Sequence, residues 1–309
     1  MPPSESRSAL SPVEGKALSE TQSFWREALS LQGSITPLVL PSALVFSLLA
    51  VGVCLLYRRF PQVAVEVGLY EVVGALLGLV LVLRSNAGYD RWWEARKVWG
   101  GIVNQSRNLV IAALSNGPQD PQWQERFVRW VAAFPHACRN SLRGERELPE
   151  VATLLPPEDA RKVGSAQHMP GYVSLQVAKM LQKARDERGM SPFAYLQCDR
   201  ERADLINHIG ACERILKTPI PNAYALKIRG FILLYLATLP FALVQKLEWL
   251  TPLALFLAAY PILSIDQVGV ELQNPFSKRN LSHLPLDRIT RDLETNLLAL
   301  QQAARDEAA

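Results

Sequence analysis

The chain has 309 residues, 49% of them hydrophobic and 20% charged, with Lys+Arg 33 against Asp+Glu 29 and a formal net charge of +4. That composition excludes a disordered or collagen-like chain, and a small cationic excess spread along the whole length gives nucleic-acid binding no support. The four cysteines, Cys54, Cys138, Cys198 and Cys212, lie far apart with no C-x-x-C, so neither a disulfide framework nor a zinc site is indicated.

Near the N-terminus, Ser19-Glu20-Thr21-Gln22 has capping-box spacing ahead of Phe24, Trp25, Ala28, Leu29 and Leu31, with Gly33 as a stop. This predicts an amphipathic helix within a segment 1–36, lying at the membrane interface or docked on the soluble part. The run Pro37 to Tyr57 is 21 residues without a charge. As a helix it spans roughly 31 Å, close to the bilayer hydrocarbon. A secretory signal would need a basic start near residue 1, whereas mostly polar residues come first, so the run is read as a membrane span.

The next segment, Val63 to Leu83, is apolar over its second half but carries Glu66 and Glu71 in its first. A lipid-facing helix disfavours central carboxylates by about 2.5–3.5 kcal/mol each, so this helix faces protein and water or begins outside the bilayer. Two further uncharged runs, Gly230 to Gln245 and Leu250 to Ile265, are flanked by Arg229, Lys246 and Asp266 and contain Pro240, Pro252 and Pro261. They are short for independent spans and are read as a membrane hairpin shielded by neighbours. Four crossings then place the segment 84–229 and both termini on one side. That side carries Arg26, Arg84, Arg91, Arg96, Lys97, Lys217, Lys227, Arg229, Lys278 and Arg279 near the spans, against Arg58, Arg59 and Lys246 on the other, which makes the richer side cytoplasmic.

The middle segment has helical periods and no convincing alternating strand. Trp123, Phe127, Trp130, Val131 and Phe134 form one stripe, Leu175, Val177, Met180 and Leu181 begin another before Gly189, and a third helix runs from Phe193 to about Leu216. After the last span, Leu284-Pro285-Leu286-Asp287 opens a helix with Ile289, Leu293, Leu297 and Leu300 on one stripe, which can cover its own bundle or strap a neighbouring subunit. The fold class is therefore all-α: a polytopic membrane protein with a cytosolic N-terminal segment 1–36, spans within 37–83, a helical cytosolic domain 84–229, spans within 230–265 and a cytosolic tail 266–309.

His136, His168, His208 and His283 stand alone, and no metal site is expected. Catalytic and phosphate-binding motifs of the kinds G-x-S-x-G, P-loop and G-x-G-x-x-G are missing, so no enzyme and no cofactor are expected.

After the second span comes Leu83-Arg84-Ser85-Asn86-Ala87-Gly88-Tyr89-Asp90-Arg91-Trp92-Trp93-Glu94-Ala95-Arg96-Lys97-Val98-Trp99-Gly100. Later stretches are Cys212-Glu213-Arg214-Ile215 with Thr218-Pro219-Ile220-Pro221, Leu239-Pro240-Phe241-Ala242-Leu243, and Gln273-Asn274-Pro275-Phe276 followed by Leu284-Pro285-Leu286-Asp287. Together they resemble the bestrophin family, particularly its prokaryotic branch, from about Gly33 to Leu300. The resemblance implies a homopentameric ion channel in the cell membrane, with further copies of the chain, membrane lipid and permeant monovalent ions as its partners.

It also implies that the second membrane helix lines a hydrophobic neck. Counted back from Arg91, the neck positions are Ala75, Leu79 and Leu83, where Leu79 and Leu83 would gate by excluding water. On pattern alone, leucines four apart mark only a packed helix, although Gly74 and Gly78 beside that face would let neighbouring helices approach closely. Glu71 and Glu66 would sit at the outer mouth if they face the pore; about 120° of helical drift from Leu83 equally lets Glu71 point between helices, and Glu66 equally suits a solvated outer turn. They favour cations in a family that includes anion and cation channels, so selectivity stays open between chloride and cations. A cytosolic constriction is implied near Leu196. Arg84, Asp90, Arg91, Glu94, Arg96 and Lys97 are expected to be mostly structural ion pairs, and Trp92, Trp93 and Trp99 anchors. Animal members follow Asn-Pro-Phe with an acidic calcium clasp, whereas this chain has Ser277-Lys278-Arg279-Asn280-Leu281-Ser282-His283, so opening without calcium is expected. The other reading is a non-conducting membrane scaffold or sensor whose cytosolic helices bind a partner.

Overall fold

The structure, a computed structural model, describes residues 33–308. The predicted N-terminal amphipathic helix lies outside them. Among the described residues the regular elements are helices: α1 Thr36–Arg59, α2 Gly68–Asn116, α3 Pro121–Arg143, α4 Pro149–Leu154, α5 Pro157–Ser165, α6 Met169–Glu187, α7 Pro192–Lys217, α8 Asn222–Leu247, α9 Thr251–Glu271 and α10 Leu286–Ala308. Short 3-10 turns at Pro61–Val63 and Glu248–Leu250 join α1 to α2 and α8 to α9.

Helix starts follow local chemistry. Asp120 accepts from the Gln122 amide at 2.9 Å ahead of Pro121, and Ser191 accepts from the Ala194 amide at 3.1 Å ahead of Pro192. Each pairs a capping oxygen with a proline where no amide hydrogen is needed. α3 ends at Gly144, whose φ of +70° closes a C-terminal turn in which the Glu145 amide reaches the Asn140 carbonyl at 2.9 Å.

Two apolar cores are stacked along the molecule. One joins α1, α2, α8 and α9 through Ala43, Ala50, Leu77, Leu81, Ile232, Leu236, Leu255 and Ala259. Ala43 and Ala50 are fully buried, and such small side chains let α1 lie close to α9. The other packs the lower half of α2 against α3, α6, α7 and α10 through Trp99, Ile102, Phe127, Val131, Val177, Leu181, Ile209, Leu293 and Leu297. The α3 stripe is buried as predicted, whereas Leu175 of the α6 stripe is 48% exposed. Leu293 and Leu297 pack into this core, so α10 covers the bundle of its own chain.

Among the described residues three continuous helical stretches are long and apolar enough to cross a membrane: Thr36–Arg59, Gly68–Asn116 and Asn222–Glu271, the last comprising α8, its 3-10 turn and α9. The borders drawn at 83/84, 229/230 and 265/266 fall inside α2, α8 and α9. α2, with 49 residues and no proline, extends over roughly 73 Å and belongs to both cores. Its start at Gly68 leaves Glu66 outside the helix.

Candidate functional site

At about 100° per residue, Ala75, Leu79, Leu83, Asn86, Asp90, Trp93, Lys97, Asn104, Asn108 and Ile111 fall within an arc of about 80° on α2. All ten are exposed. The opposite side is buried throughout: Leu77, Leu81, Arg84, Gly88, Ala95, Trp99 and Ile102. One helix thus presents an exposed face that is apolar at Leu79 and Leu83, 58% and 55% exposed, and mixed from Asn86 onwards, with Trp93 and Ile111 among its polar residues and Gly101 half-buried against His208.

The other expected positions divide. Glu71 is exposed in the first turn of α2, where a carboxylate also suits the helix dipole, and Glu66 is exposed in the connection before it. Gly74 makes room inside the chain: a Cβ there would lie 2.5 Å from Tyr235 Oη on α8. Gly78 meets nothing within 4 Å among the described residues of one subunit. Leu196 is 62% exposed in the second turn of α7, beside Phe193 at 84%.

Below the apolar stretch lies a charged base that the sequence reading did not assemble. Arg84, 1% exposed, pairs with Asp266 of α9, 6% exposed, and Asp266 also accepts from Arg229 Nε of α8 at 3.1 Å. Gly88 and Gly269 make the crossing of α2 and α9 possible, since a Cβ on Gly88 would lie 3.2 Å from Leu272 Cβ and 3.3 Å from the Gly269 carbonyl oxygen. The available signal was that Arg229 and Asp266 end the two apolar runs at the same membrane edge where Arg84 follows the second span. Charges there must find one another or water.

The mixed-charge run departs from expectation. Arg84 and Glu94 form ion pairs, the latter with Arg214 at 2.8 Å. Arg91 instead donates to main-chain carbonyls, those of Ile215 and Thr218 at the end of α7 and Gln273 after α9. Asp90, Arg96 and Lys97 are exposed and have no ion pair among the described residues, because one straight helix turns them away from its neighbours. Trp92 Nε1 donates to the Ser282 carbonyl at 2.7 Å and Trp99 is fully buried, as anchors should be, whereas Trp93 is 46% exposed on the open face.

The connection from α9 to α10 is closed by its own polar groups. Asn280 Nδ2 donates to the Glu271 and Asn274 carbonyls at 3.1 Å each, the Leu281 amide donates to Glu271 Oε2 at 2.7 Å, and Lys278 pairs with Asp287 at 3.5 Å. No group of three or more His, Cys, Asp or Glu side chains is placed to hold a metal among the described residues.

The core around α3 and α10 carries a second network. Arg139 and Arg143 of α3 hold Asp287, and Arg139 also donates to both oxygens of Glu150 at 3.0 Å. Hydrogen bonds from Arg143 hold the Asp287 carboxyl down to about 2, against its burial. His136, fully buried, meets Glu294 Oε2 through Nε2 at 2.8 Å, while its buried Nδ1 has no partner among the described residues. Burial and Arg139 push its pKa below the ordinary value against the attraction of Glu294. Both observations fit a neutral ring protonated at Nε2, because a second ring proton at Nδ1 would have no acceptor.

A family model described as Bacterial/Fungal Bestrophin protein matches residues 16–299. The voltage-dependent anion channel-forming protein sll1024 of Synechocystis sp. is 32% identical over 289 residues, covering 92% of this chain and 94% of that protein. The similarly described YneE of Escherichia coli K12 is 30% identical over 286 residues, covering 92% and 93%. A crystal structure of a bacterial bestrophin homolog from Klebsiella pneumoniae superposes with a TM-score of 0.80 at 27% identity, covering 85% of this chain and 98% of that one.

Proposed function

This chain belongs to the bacterial and fungal bestrophin family, and from that membership we propose that five copies surround one pore through which small monovalent ions cross the cell membrane. It is an ion channel rather than an enzyme. In the proposed arrangement α1, the upper part of α2, α8 and α9 are the four spans and both termini are cytoplasmic.

The carrying observation is the exposed face of α2 from Ala75 to Lys97. A helix packed wholly inside one subunit would bury Leu79 and Leu83, whereas both are more than half exposed and Asn86, Asp90 and Lys97 continue the same line beyond them. A lumen passing from bilayer to cytosol accommodates the sequence of side chains as it stands. Rings of Leu79 and Leu83 then form the neck by excluding water, Ala75 leaves a wider ring above them, and Leu196 with Phe193 supplies the second, cytosolic constriction.

Two observations bear on selectivity. The similar proteins are named as anion channel-forming, while exposed Glu71 and Glu66 at the far end of α2 favour cations. Opening without calcium is supported by Lys278, which occupies Asp287, and by Glu271, whose carboxylate is already engaged by Leu281 and Gln267.

Planar-bilayer recording of the reconstituted protein tests the reading. Unitary currents that rise in Leu83→Ala and persist in a calcium chelator are expected. An assembled oligomer that never conducts would favour a membrane scaffold, and a strict requirement for calcium would remove that part of the proposal.

A further inference from the structure

Outside the pore face, the cytosolic ends of α1, α8 and α9 enclose a cleft of about 240 Å³. Its walls are apolar: Leu38 and Phe46 from α1, Ile232 and Leu233 from α8, Leu263 from α9. Leu38 and Leu233 are 55% and 60% exposed along it. At its polar end stand Arg229 and Asp266. Asp266 is already shared with buried Arg84, so three ionised groups carry one positive charge in excess, and Arg229, 51% exposed, is where that excess meets the surroundings. Ser42 and Gln267 add polar atoms to the same lining.

We propose that this cleft binds an anionic glycerophospholipid of the cytosolic leaflet, its phosphate on Arg229 and one acyl chain along Leu233, Ile232 and Phe46. The inference rests on the four-span reading, which puts this end of the three helices at the inner face of the membrane. Charge complementarity selects the ligand. A zwitterionic head group would bring its own cation to a site already in positive excess, and a free phosphate would leave the apolar groove unused.

The test uses the full-length oligomer in vesicles and a phosphatidylglycerol with a photoactivatable acyl chain. Crosslinks are expected on peptides containing Leu38 to Phe46 and Ile232–Leu233, displaced by unlabelled phosphatidylglycerol and not by phosphatidylcholine or inorganic phosphate. Arg229→Gln should lower labelling about fivefold, the weight of one basic residue at an anionic surface. Leu233→Trp, which fills the groove and leaves the charges alone, should also lower it. The elution volume of each variant oligomer checks assembly. Equal displacement by phosphatidylcholine, or labelling unchanged in both variants, overturns the proposal. So does absence of labelling in a protein that floats with the vesicles, the result expected if a neighbouring subunit or residues 1–32 fill the cleft. A protein that fails to float overturns the membrane reading beneath it.

Discussion

Arg84, the residue that follows Leu83, turns to the opposite side of α2 from the apolar face and pairs with Asp266 of α9. The helix that carries the proposed neck is thereby fastened to the helix that leads into the C-terminal segment. Arg229 completes the cluster from α8, so one carboxylate joins α2, α8 and α9.

The two partners are not equivalent. Asp266→Asn leaves buried Arg84 with no counter-charge and should destabilise by about 3–5 kcal/mol. Arg84→Gln leaves Asp266 with Arg229 and should be milder, at about 1–3 kcal/mol. Thermal unfolding of the detergent-solubilised oligomer should rank them in that order, and equal losses would mean that Arg229 does not share the carboxylate.

Reversal potentials under a tenfold KCl gradient decide the role of Glu71. If its ring faces the lumen, Glu71→Gln shifts the reversal potential away from the potassium equilibrium by several millivolts, the direction expected on removing fixed negative charge at a pore mouth. An unshifted value near the chloride equilibrium would put Glu71 between helices and give this chain the anion preference for which the similar proteins are named.

Gly88→Ala should destabilise the chain by about 1–3 kcal/mol, because the new methyl meets Leu272 Cβ and the Gly269 carbonyl of another helix at 3.2 and 3.3 Å. Gly78→Ala meets open space and, within one subunit, gains helix propensity of about 1 kcal/mol. A loss at Gly78 in the assembled protein would therefore report a neighbouring subunit there. Comparing unfolding of both variants against the same parent separates the two positions.

Docking of α10 should weaken in acid in two stages. His136 has a lowered pKa when folded, so the unfolded chain takes up its proton first and stability falls as pH drops below about 6.5. Asp287 is held to about 2 against an ordinary 3.8, so its contribution is full above 3.8 and is lost as pH falls through about 2. Hydrogen exchange of α10 against pH should show both stages, with Asp287→Asn abolishing the lower one.

The cysteines give a check on the fold itself. All four are free and buried, and burial pushes Cys198 up to about 11 and Cys212 up to about 12. A charged maleimide should leave the folded protein unlabelled and modify every cysteine after denaturation. Rapid labelling of Cys212 in the native state would contradict the packing of α7.

Apolar run length and period were enough to determine the long helices and their order, the buried stripe of α3 and the buried Leu293 and Leu297 of α10, because burial of an amphipathic face is encoded locally, whereas the short helices α4 and α5 carried no such period. The Arg-Trp-Trp-Glu run and the stretches after it were likewise enough to point to the family. Tertiary structure decided that the apolar run ending at Leu83 and the charged run after it are one helix, Gly68–Asn116, which packs in both cores. It alone brought Arg84, Asp266 and Arg229 together, residues up to 182 positions apart whose pairing depends on how three helices cross. Gly74 and Gly78 show the same division. Their spacing is identical in the sequence, yet only Gly74 faces Tyr235, because what a helix position touches is set by its neighbours in space and not by its own period.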